Sequence, residues 1–185
     1  MNMISISPTI NLIEGIVSLF AGSEKEEERK KKSILLLRNL MLECKSNIAV
    51  LKQINKDEIK KDSFSAVKAI APLLKNEAAK LVLLGTDECL KEINLIQENI
   101  EDVKKFNEED SVDGEDSEKY EEVKSLKEAL SFCVEKIEIL KLYADIPEKG
   151  NVYFTSLVLS RRLNNIERYS RQILISLKTY LDTIA

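Results

Sequence analysis

Val123-Lys-Ser-Leu-Lys-Glu-Ala-Leu-Ser-Phe-Cys-Val-Glu-Lys-Ile-Glu-Ile-Leu-Lys-Leu-Tyr-Ala144 decides the fold. Val123, Leu126, Leu130, Cys133, Ile137, Leu140 and Ala144 recur at steps of three and four, with charge between them. That alternation is one face of a helix packed lengthwise on neighbours at shallow angles, and no period-two reading accommodates it. The same spacing appears three more times. Ile34, Leu37, Met41, Cys44, Ile48 and Leu51 carry it, as do Cys89, Ile93, Ile96, Ile100 and Val103. The last stretch, Leu159, Leu163, Ile166, Ser170, Ile173, Leu177, Tyr180 and Ile184, keeps it with one small polar intruder.

A fifth stretch is broader. Phe64, Val67, Ala71, Leu74, Ala78 and Leu81 make a seam that Ile70, Leu73, Val82, Leu83 and Leu84 widen, which predicts the most enclosed helix of the set. Pro72 must kink or restart it, because proline lacks the amide donor and clashes with the preceding turn. The expected fold is all-α: an antiparallel up-and-down bundle of about five long helices, over 23–54, 62–84, 87–106, 118–145 and 151–183. A short apolar helix over 8–21 precedes them. Residues 1–22 thus form one unit and 23–185 the bundle, with an acidic flexible loop at 107–117. Short connections favour antiparallel neighbours.

Composition agrees. The 185 residues suffice for one domain with a core; 44% are hydrophobic, 32% charged, and only five are glycine and three proline. Three cysteines, an odd number, favour a reducing compartment over a disulfide framework. The opening Met-Asn-Met-Ile-Ser-Ile-Ser lacks the basic start of a secretory signal, and no apolar run approaches the ~20 residues of a membrane span. A cytoplasmic location is expected.

The acidic stretch Asp110-Ser-Val-Asp-Gly-Glu-Asp-Ser-Glu-Lys-Tyr-Glu121 invites a calcium reading. With Gly114 at the sixth position of an EF-hand loop, the chelating twelfth falls on Tyr120; starting at Asp110 puts Val112 at the third. Neither register works, so the stretch reads as a solvated, self-repelling loop. No metal or cofactor is expected.

Catalysis finds few parts. There is no histidine, which removes Ser-His and Cys-His pairs and histidine metal sites. Cys44, Cys89 and Cys133 lie on core seams, where free cysteine acts as a small hydrophobe. Glu43, Asn47, Asn164 and Asn165 sit closest to the seams; if buried they need partners, which Arg161 or Arg162 would supply. A register-fixing network suits them better than chemistry. No enzyme is expected.

Two features suggest binding. Residues 86–122 carry a net charge of −11, whereas 23–56 sum to +4 and 151–185 to +3. Arg161, Arg162, Arg168 and Arg171 would form a basic face on the last helix, for an acidic partner or phosphate or for a neighbouring acidic helix. The run at 24–32 resolves into Glu26–Lys30, Glu27–Lys31 and Glu28–Lys32 pairs rather than a nucleic-acid arm. The second feature is residues 8–21. Ile10, Ile13, Val17 and Phe20 make one apolar face and Leu12, Ile16 and Leu19 another, leaving a thin polar stripe. Such a helix has to be covered. A distant groove of the same bundle, a second copy in a homodimer, another protein and a membrane surface are the candidates. The leading expectation is a non-catalytic bundle acting through protein–protein interaction, self-association included. The alternatives are a membrane-peripheral accessory role through 8–21 and a nucleic-acid- or phosphate-linked role through the arginines.

Overall fold

The computed structural model describes residues 26–54, 56–85, 87–96, 123–146 and 156–184. Of these, 87% are helical and none is in a strand. In chain order the helices are α1 (Glu26–Lys52), α2 (Lys56–Lys61), α3 (Ser63–Ile70), α4 (Glu77–Gly85), α5 (Asp87–Glu92), α6 (Leu126–Asp145) and α7 (Ser156–Thr183). The apolar segment 8–21 and the acidic loop 107–117 lie outside the described residues.

α6 starts where its own side chains cap it. Ser125 Oγ accepts from the Glu128 amide at 3.2 Å, and Glu128 Oε2 accepts from the Lys124 amide at 2.7 Å. Ser-x-x-Glu therefore closes the first turn, as in a capping box whose return bond reaches one residue further back. The helix expected from 118 begins at Leu126. Its apolar seam is buried up to its last member: Val123, Leu126, Leu130, Cys133, Ile137 and Leu140 are in the core, whereas Ala144 is half-buried. α7 packs along both α1 and α6 and buries Leu159, Leu163, Ile166, Ser170, Ile173 and Leu177. The polar intruder Ser170 meets Cys133, with Oγ and Sγ 3.7 Å apart. One residue earlier on each helix, Phe132 and Tyr169 stack with ring centroids 5.9 Å apart.

α1 buries a different row from the one its apolar residues suggest. Ser33, Leu37, Leu40, Cys44, Asn47 and Leu51 are buried, whereas Ile34, Met41 and Ile48 are only half-buried. The steps remain four and three, but the buried stripe is turned to bring polar Asn47 and Glu43 inward. Their partners explain the turn, as set out below.

Pro72 breaks the helix expected over 62–84 in two. Asp62 starts α3 by accepting from the Ser65 amide at 3.0 Å and from Ser65 Oγ at 2.6 Å. α3 stops at Ile70, a 3₁₀ turn covers Ala71–Leu73, and Leu74 is extended at φ −79°, ψ 131° before α4 begins at Glu77. The proline nitrogen has no hydrogen to give, and it sits in the first turn of the 3₁₀ element where none is needed. The break also corrects the expectation of an enclosed helix. Its broad apolar face is two shorter faces out of phase, so Leu73 is 55% and Leu84 76% exposed.

The helix expected over 87–106 ends at Glu92 within the described residues. Ile93 stays buried, but the chain leaves helical geometry, and the Ile96 amide donates to Ser176 Oγ at 2.9 Å. The Ser176 hydroxyl in turn donates to the Gln172 carbonyl at 2.7 Å. A side chain of α7 thus replaces the carbonyl that a continuing helix would supply. No described helix is long and apolar enough to cross a membrane.

Candidate functional site

The first amides of α4 have no carbonyl partner within their own helix. Glu43, one side of α1, supplies the acceptors: the Ala78 amide donates to Oε2 at 2.8 Å and the Ala79 amide to Oε1 at 3.0 Å. One turn along, Asn47 holds both backbone polar groups of Lys75, in the segment leading into α4. Its Nδ2 donates to the Lys75 carbonyl at 2.7 Å, and its Oδ1 accepts from the Lys75 amide at 2.8 Å. Glu43 thus pairs with the first turn of α4, and Asn47 with Lys75 just before it. The partners expected for these polar groups were Arg161 or Arg162. They are backbone amides and a carbonyl instead, because the break at Pro72 left those groups bare.

α6 holds the other side of the same junction. Buried Asn76 donates from Nδ2 to Glu138 Oε1 at 2.6 Å and accepts from Lys141 Nζ at 2.9 Å. Lys80 Nζ reaches Glu138 Oε1 at 2.8 Å, and Lys141 Nζ lies 3.8 Å from Glu77. The Asn76 and Lys80 hydrogen bonds hold the Glu138 carboxyl below the usual carboxylate range. Burial pushes Glu43 the other way, above its ordinary value, against the two amide bonds that favour its charge.

Clamped at its start, α4 lies beside α1 with an open groove of about 320 Å³ between them. Leu36, Ala78 and Leu81 line its apolar part, and Asn39, Lys75 and Glu77 edge it. Leu42 borders it while remaining 63% exposed. Leu35, seven residues earlier on the same face of α1, is 60% exposed. Three residues beyond Leu81, Leu84 continues the α4 side towards solvent. Scattered exposed leucines are ordinary, and of these three Leu42 alone borders the groove itself.

The chemistry available there is limited. Glu43 already accepts from two amides, and no described nucleophile adjoins it in the groove. Among the described residues no group of three or more acids and thiols could hold a metal. Cys44 and Cys133 are buried free thiols. Burial pushes Cys133 up to about 12 and Cys44 well above its ordinary value, so both are protonated. The side chain of Cys89 lies outside the described residues.

Of the residues singled out in the sequence, Ile10, Ile13, Val17, Phe20, Leu12, Ile16 and Leu19 lie outside the described residues. The four arginines are all half-buried on α7. Helical spacing gathers Arg161, Arg168 and Arg171 within an arc of about 80° and leaves Arg162 outside it. Arg171 is committed to Glu167, one turn earlier, through both Nε at 3.1 Å and a terminal nitrogen. Arg162 turns its Nε into the interior, where it meets no acceptor. Asn164 and Asn165 are half-buried. The groove and Asn76 escaped the sequence reading; the signal available was Asn76-Glu77 four residues after Pro72, a helix-start pattern. No protein-family model, curated protein or solved structure matches this chain.

Proposed function

We propose that the protein is a non-catalytic helical bundle that acts by binding another protein, with a second copy of itself among the candidate partners. The observation that carries this reading is the α1–α4 groove, bordered by Leu42 and continued by the exposed Leu35 and Leu84. An apolar surface of that form gains most from a helix laid into it. The polar side chains around it are engaged in holding α4 rather than poised for chemistry. In the same reading the long helices run up and down, as the Glu43, Asn47, Lys80 and Lys141 bonds support for α1, α4 and α6. Protonated, unpaired thiols fit a cytoplasmic setting.

The arginine face supports a phosphate or nucleic-acid role less well. One of its four members is spent on Glu167 and another points inward.

The test compares the full chain with Leu42→Asp and, as a control away from the groove, Leu142→Asp, another exposed leucine. Affinity capture from native lysate and sedimentation at several concentrations are run on all three. A partner or dimer present with the parent chain and Leu142→Asp but missing with Leu42→Asp is the expected result. Equal behaviour of all three chains refutes the reading.

A further inference from the structure

We propose that the partner lays into the α1–α4 groove a short amphipathic helix with an acidic flank, its carboxylates meeting Arg38 and Lys45 of α1. The inference rests on reading that groove as a docking surface, and it adds the chemistry of what docks there.

Charge around the groove is one-sided. Between Ser33 and Lys52 every exposed charge on α1 is positive: Arg38, Lys45 and Lys52. The acid in that span, Glu43, is buried and already accepts from the Ala78 and Ala79 amides. Arg38 and Lys45 lie four residues before and three after Leu42, so both flank the leucine that borders the groove. Lys75, also exposed, edges the groove itself. Among the described residues, Arg38, Lys45 and Lys75 make no ion pair. The exposed acid of the lining, Glu77, lies 3.8 Å from Lys141 and accepts from the Asn76 amide, while Lys80 is held by Glu138. Beyond them the α4 side presents the exposed Leu84. The α1 wall is therefore basic and uncommitted, and the charges of the α4 wall are matched within the chain.

Helical spacing sets the rest. Leu36 and Glu43, the first and last α1 residues of the lining, are seven apart, about two turns or ~10.5 Å. A helix laid over that length offers apolar anchors at i, i+3 or i+4, and i+7. Arg38 and Lys45 are also seven apart and share a face, so two acids at i and i+7 on the flank of the docked helix match them. A second copy of this chain fits less well. No described helix exposes more than two large apolar residues, and the one that exposes two, α1 with Leu35 and Leu42, carries the basic face itself. Two such faces would set like charges together. The described surface thus favours a different chain, acidic where this one is basic.

The test selects phage-displayed random peptides of about 15 residues, four helical turns, on the full-length chain. Two variants serve as counter-targets, Leu42→Asp and a chain carrying both Arg38→Glu and Lys45→Glu; all three positions are exposed, which spares the fold. Peptides enriched on the parent should carry apolar residues at i, i+3 or i+4, and i+7 with Asp or Glu beside them, and should be lost on Leu42→Asp. A synthetic copy of the strongest should bind the charge-reversed chain at least about tenfold more weakly than the parent, because two attractions become two repulsions. Changing its acids to lysines should restore binding to that chain and weaken binding to the parent. Peptides that need Leu42 but carry no excess of acid, or whose binding ignores Arg38 and Lys45, leave the docking surface standing and overturn the acidic partner. A Leu42-dependent dimer of the chain overturns it too. Absence of any Leu42-dependent peptide removes the docking surface itself, and the inference with it.

Discussion

Replacing Asn47 by Ala tests the clamp that positions α4. Asn47 is buried, and the substitution removes both of its bonds to Lys75, at 2.7 and 2.8 Å. Each such bond contributes about 0.5–1.5 kcal/mol net, and an unpaired buried group costs about 1–3 kcal/mol. The Lys75 backbone is only partly buried, so water recovers part of the loss and the lower ends of these ranges apply. The expected destabilisation is about 2–3 kcal/mol. For a chain of 185 residues that lowers the Tm by about 5–10 °C. Urea unfolding measures the first figure and calorimetry the second, while amide exchange at Lys75, Ala78 and Ala79 locates the change in the junction. Asn47→Asp keeps the acceptor for the Lys75 amide but loses the donor and buries a carboxylate one turn from Glu43. It should be at least as damaging at neutral pH. An Ala variant within about 0.5 kcal/mol of the parent, with unchanged exchange at Ala78 and Ala79, would show that Asn47 does not hold α4.

The thiols and the carboxylates supply two further predictions. Cys133→Ala should cost about 1–3 kcal/mol as a core cavity, and neither Cys133 nor Cys44 should react with a thiol reagent in the native state; rapid stoichiometric labelling of either by mass spectrometry contradicts their burial. Glu43 and Glu138 should show opposite pH dependence. The Glu43 pKa is raised in the fold above its ordinary 4.5, so its contribution is greatest at low pH and declines as pH rises through the raised value. The Glu138 pKa is lowered from 4.5, so its contribution is present above that value and is lost as pH falls through the lowered one. Urea titrations should therefore find the parent's advantage over Glu43→Gln shrinking with rising pH and its advantage over Glu138→Gln growing; the same slope for both refutes the assignment.

Helical content and the α6 and α7 seams were legible because most of their buried residues are the apolar ones, with Ser170, Gln172 and Ser176 the buried polar exceptions on α7. Ser125 and Glu128 were equally visible as a helix start, yet the apolar periodicity at Val123 drew the boundary upstream. α1 was read in the wrong phase at three positions. Periodicity ranks Ile34, Met41 and Ile48 by greasiness, whereas the fold turns in Ser33, Leu40 and Asn47, because Glu43 and Asn47 must reach the backbone of a distant segment. That demand arises only after Pro72 has broken the chain, and it joins residues 28 to 36 positions apart. The groove was illegible for the same reason: α1 and α4 each look unremarkable until one is fastened beside the other. The arginines show the converse. Four basic residues close in sequence suggested a face, and side-chain geometry divided it through Glu167 and the interior.

A nine-residue helix is too short to persist in water unaided, and α4 lacks a cap of its own at Ala78 and Ala79. Its beginning is written on another element, so α4 is conditional: it can form stably only once α1 is helical through Glu43 and Asn47. Folding order follows from that dependence. The long helices come first, and the 71–85 stretch condenses onto them late. In the finished molecule the same stretch should be the first to let go, lifting one wall of the groove while the rest of the bundle stays assembled.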